Sequence, residues 1–174
     1  AEHLVVGEGL SSKLMGKTLN FLLEFQSTIK NFQVDSSWVR IVCTEALRRA
    51  VNGTAFAKKI ERETGFSTAI LLSEEEARWT AYGVLLATPT LSDPTLIVDL
   101  GGGSTEFIWV RDPRPPIDRL KLRYSSEPIG ALSLLQRFQL GAPADPTVLS
   151  QMETHIQNNL KTALLRVLRD SSQV

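Results

Sequence analysis

The sequence predicts an α/β fold, and three observations carry that reading. Short β-branched and apolar runs alternate with stretches of helical periodicity along most of the 174 residues. Glycine, proline and small polar residues punctuate these runs where a chain must turn. One stretch, Thr95–Val110 (TLIVDLGGGSTEFIWV), reads strand, glycine turn, strand, with Asp99 and Glu106 at the two ends of the turn.

Taken in order, residues 4–6 (LVV) read as the tail of a strand leading into a glycine-containing loop. Ser11 or Ser12 can cap the helix that follows. In that helix Leu14, Thr18, Leu22, Phe25, Ile29 and Phe32 step by three or four, a stripe expected to be buried. Trp38–Thr44 (WVRIVCT) reads as a buried strand, followed at once by a short helix over 45–50. Asn52 is a candidate N-cap for a helix over 54–64, with Phe56 and Ile60 on its apolar face and Gly65 closing it. Thr68–Leu72 is another short strand, and Ser73 opens a helix to about Ala87 that Pro89 stops. The polar turn Thr90–Pro94 is the candidate hinge between domains 1–94 and 95–174. Beyond the glycine stretch, three prolines in Asp112–Pro116 exclude a ladder strand. Leu120–Tyr124 alternates as a half-exposed strand does, and Gly130–Phe138 has helical spacing. Asp145-Pro146 is an N-cap and N1 pair for a last helix to about Leu168, with Leu149, Met152, Ile156, Leu160, Ala163 and Val167 on one face.

Composition excludes several classes. Net charge is zero and evenly spread: 10 basic and 11 acidic residues up to residue 94, 9 and 8 after it. Such a chain carries no electrostatic footprint for duplex nucleic acid or an anionic membrane. No apolar run approaches the ~20 residues of a membrane span. One cysteine, Cys43, cannot form an internal disulfide and is expected buried and inert, which fits a reducing, cytoplasmic setting. The chain opens on Ala1 rather than Met, as a piece of a longer product would.

Chemistry concentrates at three strand ends. Gly101-Gly102-Gly103 lets the backbone approach a ligand closely, and a nest of amides suits an anion such as phosphate. Ser104 and Thr105 extend that loop. Asp99 and Glu106 suit the divalent cation that accompanies phosphate, Mg²⁺ above all. The competing reading is a plain β-hairpin whose glycines only satisfy the turn. Ser73-Glu74-Glu75-Glu76 is either a capping box, Glu76 reaching back to the backbone of Ser73, or a functional carboxylate at a strand-to-helix junction. Arg48 is either a solvated helix arginine or a planar fork for a phosphate oxygen. His3 and His155 have no ligand at metal-binding spacing, and Trp38, Trp79 and Trp109 read as core or rim residues. Ser104 is in no Gly-x-Ser-x-Gly elbow, which argues against serine hydrolysis.

Three blocks, CTEALRRAVNGTAF, LLSEEEARWTAYGV and LIVDLGGGSTEFIWV, resemble in order and spacing the exopolyphosphatase / guanosine pentaphosphate phosphohydrolase family, and the later SSEPIGALSLLQRF resembles that family's strand-to-helix segment. The glycine block alone would be shared with the wider actin-like and sugar-kinase-like superfamily. The resemblance implies a partial, two-lobed, actin-like (ribonuclease H-like) phosphatase fold. Residues 1–94 would be the C-terminal part of the first lobe and 95–174 the start of the second. It implies that Gly101, Gly102, Gly103, Ser104 and Thr105 bind phosphate oxygens, that Asp99 and Glu106 hold Mg²⁺, and that Glu76 is the catalytic glutamate, with Arg48 facing the phosphates. The implied reaction is hydrolysis of a terminal phosphoanhydride of inorganic polyphosphate or guanosine pentaphosphate. The chain departs from the family in three ways. No Asp-x-Gly hairpin of the first lobe is present, Ser73 stands where glycine is usual before the acidic pair, and Glu45 replaces a small or neutral residue and could repel phosphate or pair with Arg48. These residues alone are therefore expected to be inactive, and a truncated lobe would expose apolar surface and favour a homodimer. The alternatives are a non-catalytic phosphate- or nucleotide-binding regulatory module of the same fold and, disfavoured by the lack of an adenosine motif, a kinase.

Overall fold

The computed structural model describes residues 9–91, 93–113, 116, 119–140 and 144–169. His3 and the run over residues 4–6 lie outside them, as do Ser92 of the hinge segment, two positions of the proline-rich segment and residues 141–143. The chain divides into two compact units, up to Ser73 and from Glu74. Among the described residues no helix is long and apolar enough to cross a membrane.

The first unit contains α1 (Ser12–Asn31), a 3₁₀ turn (Ser36–Trp38), β1 (Arg40–Cys43), α2 (Glu45–Arg49), α3 (Gly53–Thr64) and β2 (Ser67–Ile70). Ser11 caps α1, its side chain accepting from the Leu14 N–H. β1 and β2 pair in parallel, Arg40 opposite Ser67 and Cys43 opposite Ile70. A parallel pair needs a crossover, which α2 and α3 supply. Phe56 and Ile60 do form the inner face of α3, packed with Leu10 and Ala50 and flanked by Leu14, Met15, Leu22, Ile41 and Leu47. Gly65 ends α3 at φ 71°, a conformation that favours glycine. Asn52 holds the N-cap position, but its side chain caps nothing there. Its amide instead accepts from the Leu10 N–H and donates to the Leu10 carbonyl, pinning the start of the described chain.

Two expectations fail in this unit. The stripe on α1 is only partly covered: Leu19 and Ile29 are the buried positions, while Phe25 and Phe32 are exposed. Phe25 meets only the edge of Phe66, at 6.3 Å between ring centroids. The strand predicted from Trp38 starts at Arg40 and is half-exposed, because Trp38 closes the 3₁₀ turn and points to solvent at 83% exposure.

The second unit contains α4 (Ser73–Ala87, all but its first residue), β3 (Thr95–Leu100), β4 (Thr105–Val110), β5 (Leu122–Glu127), α5 (Ala131–Phe138) and α6 (Pro146–Leu168). Its strands form an antiparallel meander in the order β3-β4-β5. The strand predicted at Leu120–Tyr124 is shifted to Leu122–Glu127, since Leu120 turns into the core. β4 is sealed on both faces. Ile108 and Val110, with Ile97 of β3 and Leu120, pack against Ala77 and Ala81 of α4. Phe107, with Ile129, packs on the other face against Ala163 and Val167 of α6. Small residues at both helix contacts let the helices approach the sheet closely. Asp145 caps α6 by accepting from the Thr147 N–H, with Pro146 in the first turn, as its sequence foretells.

Truncating Ile108, which is fully buried between sheet and α4, is expected to cost about 2–5 kcal/mol. Urea unfolding of Ile108→Ala against the parent chain measures it.

Candidate functional site

The β3–β4 register sets the site. Leu100 lies opposite Thr105 and Asp99 opposite Glu106, so both carboxylates stand side by side on one face of the hairpin, beyond which residues 101–104 make the turn. Ile97, Ile108 and Val110 occupy the same face by alternation, and that is the face covered by α4. The first turn of α4 therefore brings Glu76 to the same end. Thr80, one turn further on, has its hydroxyl 3.5 Å from Oδ2 of Asp99.

Glu106 is the buried member of the group and Asp99 the exposed one. Two hydroxyls hold Glu106, both on Oε1: Ser104 Oγ at 2.6 Å and Ser126 Oγ at 2.8 Å. Ser126 faces Glu106 directly across the β4–β5 ladder. Burial pushes the Glu106 carboxyl up from its ordinary range. The two hydroxyl bonds oppose this by favouring the charged form, and the neighbouring charges of Glu76 and Asp99 add to the rise. Three acidic side chains from α4, β3 and β4 are thus electrostatically coupled. Among the described residues no group of three or more His, Cys, Asp or Glu side chains is arranged around a metal position.

The glycine turn is built on α5. The Gly101 N–H donates to the Ser104 carbonyl at 2.9 Å and closes the turn. The carbonyl of Gly101 accepts from the Ala131 N–H at 3.0 Å, and that of Gly102 from Leu132 at 2.8 Å and Ser133 at 3.1 Å. Among the described residues no acceptor faces the N–H of Gly102 or Gly103, and both residues are exposed. None of the described loop glycines has positive φ. A Cβ on Gly101 would sit a tight 3.1 Å from the Ser104 carbonyl oxygen, and one on Gly102 3.2 Å from the flexible tip of Leu132 at Cδ1. The Thr105 hydroxyl is buried and donates to the Ile129 carbonyl at 3.2 Å, so it ties the loop to the start of α5.

Arg48 lies in the first unit, where its Nη1 donates to the Leu71 carbonyl just after β2 at 2.7 Å. Glu45 pairs with Arg49, four residues on along α2, at 2.6 Å. Cys43 is half-buried, and burial raises its thiol pKa. Trp38 and Trp79 are exposed, and only Trp109 packs against a core cluster. His155 stands beside the Phe138 ring at 5.7 Å between centroids, with its pKa lowered by burial and then by Arg137.

Ser126, Gly130 and the first turn of α5 are parts of the site that the motifs do not single out. The polar run Ser125-Ser126-Glu127 that closes β5 is the signal for the first. Alternation sends Ser126 to Glu106 and sends Ser125 and Glu127 to the other face, where Arg166 of α6 donates to Glu127 at 2.9 Å.

Comparison with known proteins adds a lineage to this geometry. The sequence model of the Ppx/GppA phosphatase family matches residues 6–172, which include all three motif blocks. Retrograde regulation protein 2 of Saccharomyces cerevisiae is 33% identical over 115 residues, 66% of this chain and 19% of that protein. The crystal structure of the Aquifex aeolicus Ppx/GppA phosphatase, type II variant, superposes with a TM-score of 0.61 at 26% identity, covering 88% of this chain and 48% of that one. An exopolyphosphatase from Cytophaga hutchinsonii superposes with a TM-score of 0.78 at 22% identity, covering 92% and 49%, which speaks for the fold alone. The chain spans about half the length of these structures and about a fifth of the yeast protein. The expected fold, an α/β actin-like phosphatase fold present in part, is borne out by these likenesses.

The Glu106 carboxyl gives a pH prediction. Its folded pKa is raised, so between the ordinary glutamate value of 4.5 and the folded value the native state holds more protons than the unfolded one. Its contribution to stability is full below that ordinary value and is lost as pH rises through the folded pKa. In metal-free buffer the melting temperature of Glu106→Gln should therefore gain on the parent's as pH rises from 4.5 toward neutrality, as parallel thermal melts would record.

Proposed function

The chain belongs to the Ppx/GppA phosphatase family, and from that premise we propose that the full-length protein is a Mg²⁺-dependent phosphohydrolase releasing terminal phosphate from inorganic polyphosphate or guanosine pentaphosphate. Because the chain spans about half the length of its structural relatives, these residues alone are proposed to be inactive. The observation that carries the reading is the in-register pair Asp99 and Glu106 beside a turn whose Gly101 and Gly102 carbonyls are taken by α5 and whose Gly102 and Gly103 amides have no protein acceptor among the described residues, with Glu76 electrostatically coupled to Glu106.

The residues fit a divalent cation. Asp99 and Glu106 are adjacent and mutually repulsive, and a cation between them would relieve the repulsion. These two would hold Mg²⁺, which when bound offsets charge on the phosphoryl oxygens. The Gly102 and Gly103 amides would bind oxygens of the terminal phosphate and stabilise charge that develops on them. Glu76 would accept a proton from the attacking water as the water oxygen bonds to phosphorus and the phosphoanhydride P–O bond breaks. Ser104 and Ser126 favour the charged form of Glu106 against its burial, and aim it, by donating to Oε1. Arg48 enters this proposal through the family pattern alone.

A second reading has its own support. The 33% identity is to a protein named for regulation, which favours a non-catalytic phosphate- or nucleotide-binding module of the same fold.

Phosphate release by the full-length protein from each substrate, with and without Mg²⁺, separates the two. Glu76→Gln is expected to slow release by about 10²–10⁴-fold, and an unchanged rate would remove Glu76 as the base. Binding without release by the intact parent protein would select the regulatory module. Mg²⁺ should also raise the melting temperature of the parent more than that of Glu106→Gln.

A further inference from the structure

Gly130 lies beneath the glycine turn. A Cβ there would stand 2.5 Å from the Gly102 carbonyl oxygen and 2.5 Å from the Gly103 carbonyl carbon, closer than any side chain tolerates. Both contacts are backbone, so no flexible side chain can yield. Gly130 is also the N-cap residue of α5, with φ −73° and ψ 161°, a conformation open to any residue. Glycine is therefore required here for approach and not for backbone geometry.

The approach has a consequence for polarity. A helix N-terminus leaves its first N–H groups without partners inside the helix. In α5 the N–H groups of Ala131, Leu132 and Ser133 are satisfied by the carbonyls of Gly101 and Gly102. The positive end of the helix dipole favours that orientation of the carbonyls. Peptide planes are rigid, so fixing a carbonyl on the helix side directs the N–H of the next residue away from it. Those next residues are Gly102 and Gly103, whose amides face no protein acceptor among the described residues.

We propose that Gly130 and the first turn of α5 are the positioning element of the anion-binding turn, holding its carbonyls so that the Gly102 and Gly103 amides stay aimed at phosphate. The element touches the turn and not the phosphate. It rests on the reading of residues 101–104 as a phosphate loop and is independent of whether that phosphate is hydrolysed.

Two variants probe it by different means. Gly130→Ala pushes the turn off the helix by steric contact. Ala131→Pro deletes the N–H that holds the Gly101 carbonyl yet keeps the helix, since proline suits the first helical position and residue 130 already has the extended conformation that precedes proline. Val167→Ala, in the core between α6 and β4, controls for lost stability alone. Inorganic polyphosphate with Mg²⁺ is titrated onto the full-length parent and the three variants, with circular dichroism to show that each is folded. At least a tenfold loss of affinity is expected for Gly130→Ala and Ala131→Pro, and less than twofold for Val167→Ala. Equal affinity in parent and Ala131→Pro, or equal losses in Ala131→Pro and Val167→Ala, overturns the proposal even if Gly130→Ala does not fold. A parent that binds neither polyphosphate nor guanosine pentaphosphate overturns it as well. A parent that binds but releases no phosphate defeats the hydrolase reading while the affinity series still decides this one.

Discussion

Glu106 sits on the strand that holds the second unit together, and the burial of that strand fixes where the carboxylate can be. β4 is covered by α4 on one face and α6 on the other, so its register against β3 is set by Ile97, Ile108 and Val110 on one side and Phe107 on the other. A slip of one residue would send each of these to the wrong helix. The same register places Asp99 opposite Glu106 and Ser126 on the far side of it. Packing energy spent far from the turn is thereby converted into the placement of two acidic groups at its mouth.

Keeping a carboxylate buried there needs compensation. Two serine hydroxyls supply part of it, and the repulsion from Glu76 and Asp99 works against it. The turn next to it is arranged in the complementary sense: the Gly101 and Gly102 carbonyls accept from α5, and among the described residues the Gly102 and Gly103 amides have no protein acceptor. Adjoining carboxylates and amides without a protein acceptor on one hairpin support the proposed reading of the family's chemistry for this chain.

Much of this was legible from residues. The α/β class, the caps at Ser11 and Asp145, the glycine stop at Gly65 and the strand-turn-strand at Thr95–Val110 all rest on local chemistry, and local chemistry survives folding. The family resemblance was legible too, because three motif blocks in fixed order are far more specific than one glycine run. Misreadings came where exposure depends on neighbours. Trp38 and Phe32 look like core residues and lie in solvent, while Asn52 looks like a cap and serves as a clamp on Leu10. Glu45 has two arginines within reach along the chain, and the four-residue helix spacing pairs it with Arg49.

By itself the sequence determined which residue types were available for phosphate chemistry and that they lie at strand ends. Periodicity and turn residues are properties of a segment, so a segment suffices to read them. Only the tertiary structure decided that Ser126 would hold Glu106, that the Thr105 hydroxyl would be spent on Ile129, and that Gly130 would be the glycine against which Gly102 and Gly103 rest. Each of these joins residues 20 or more positions apart through a ladder register or a backbone contact. Such contacts follow from how whole faces pack, which no local pattern encodes.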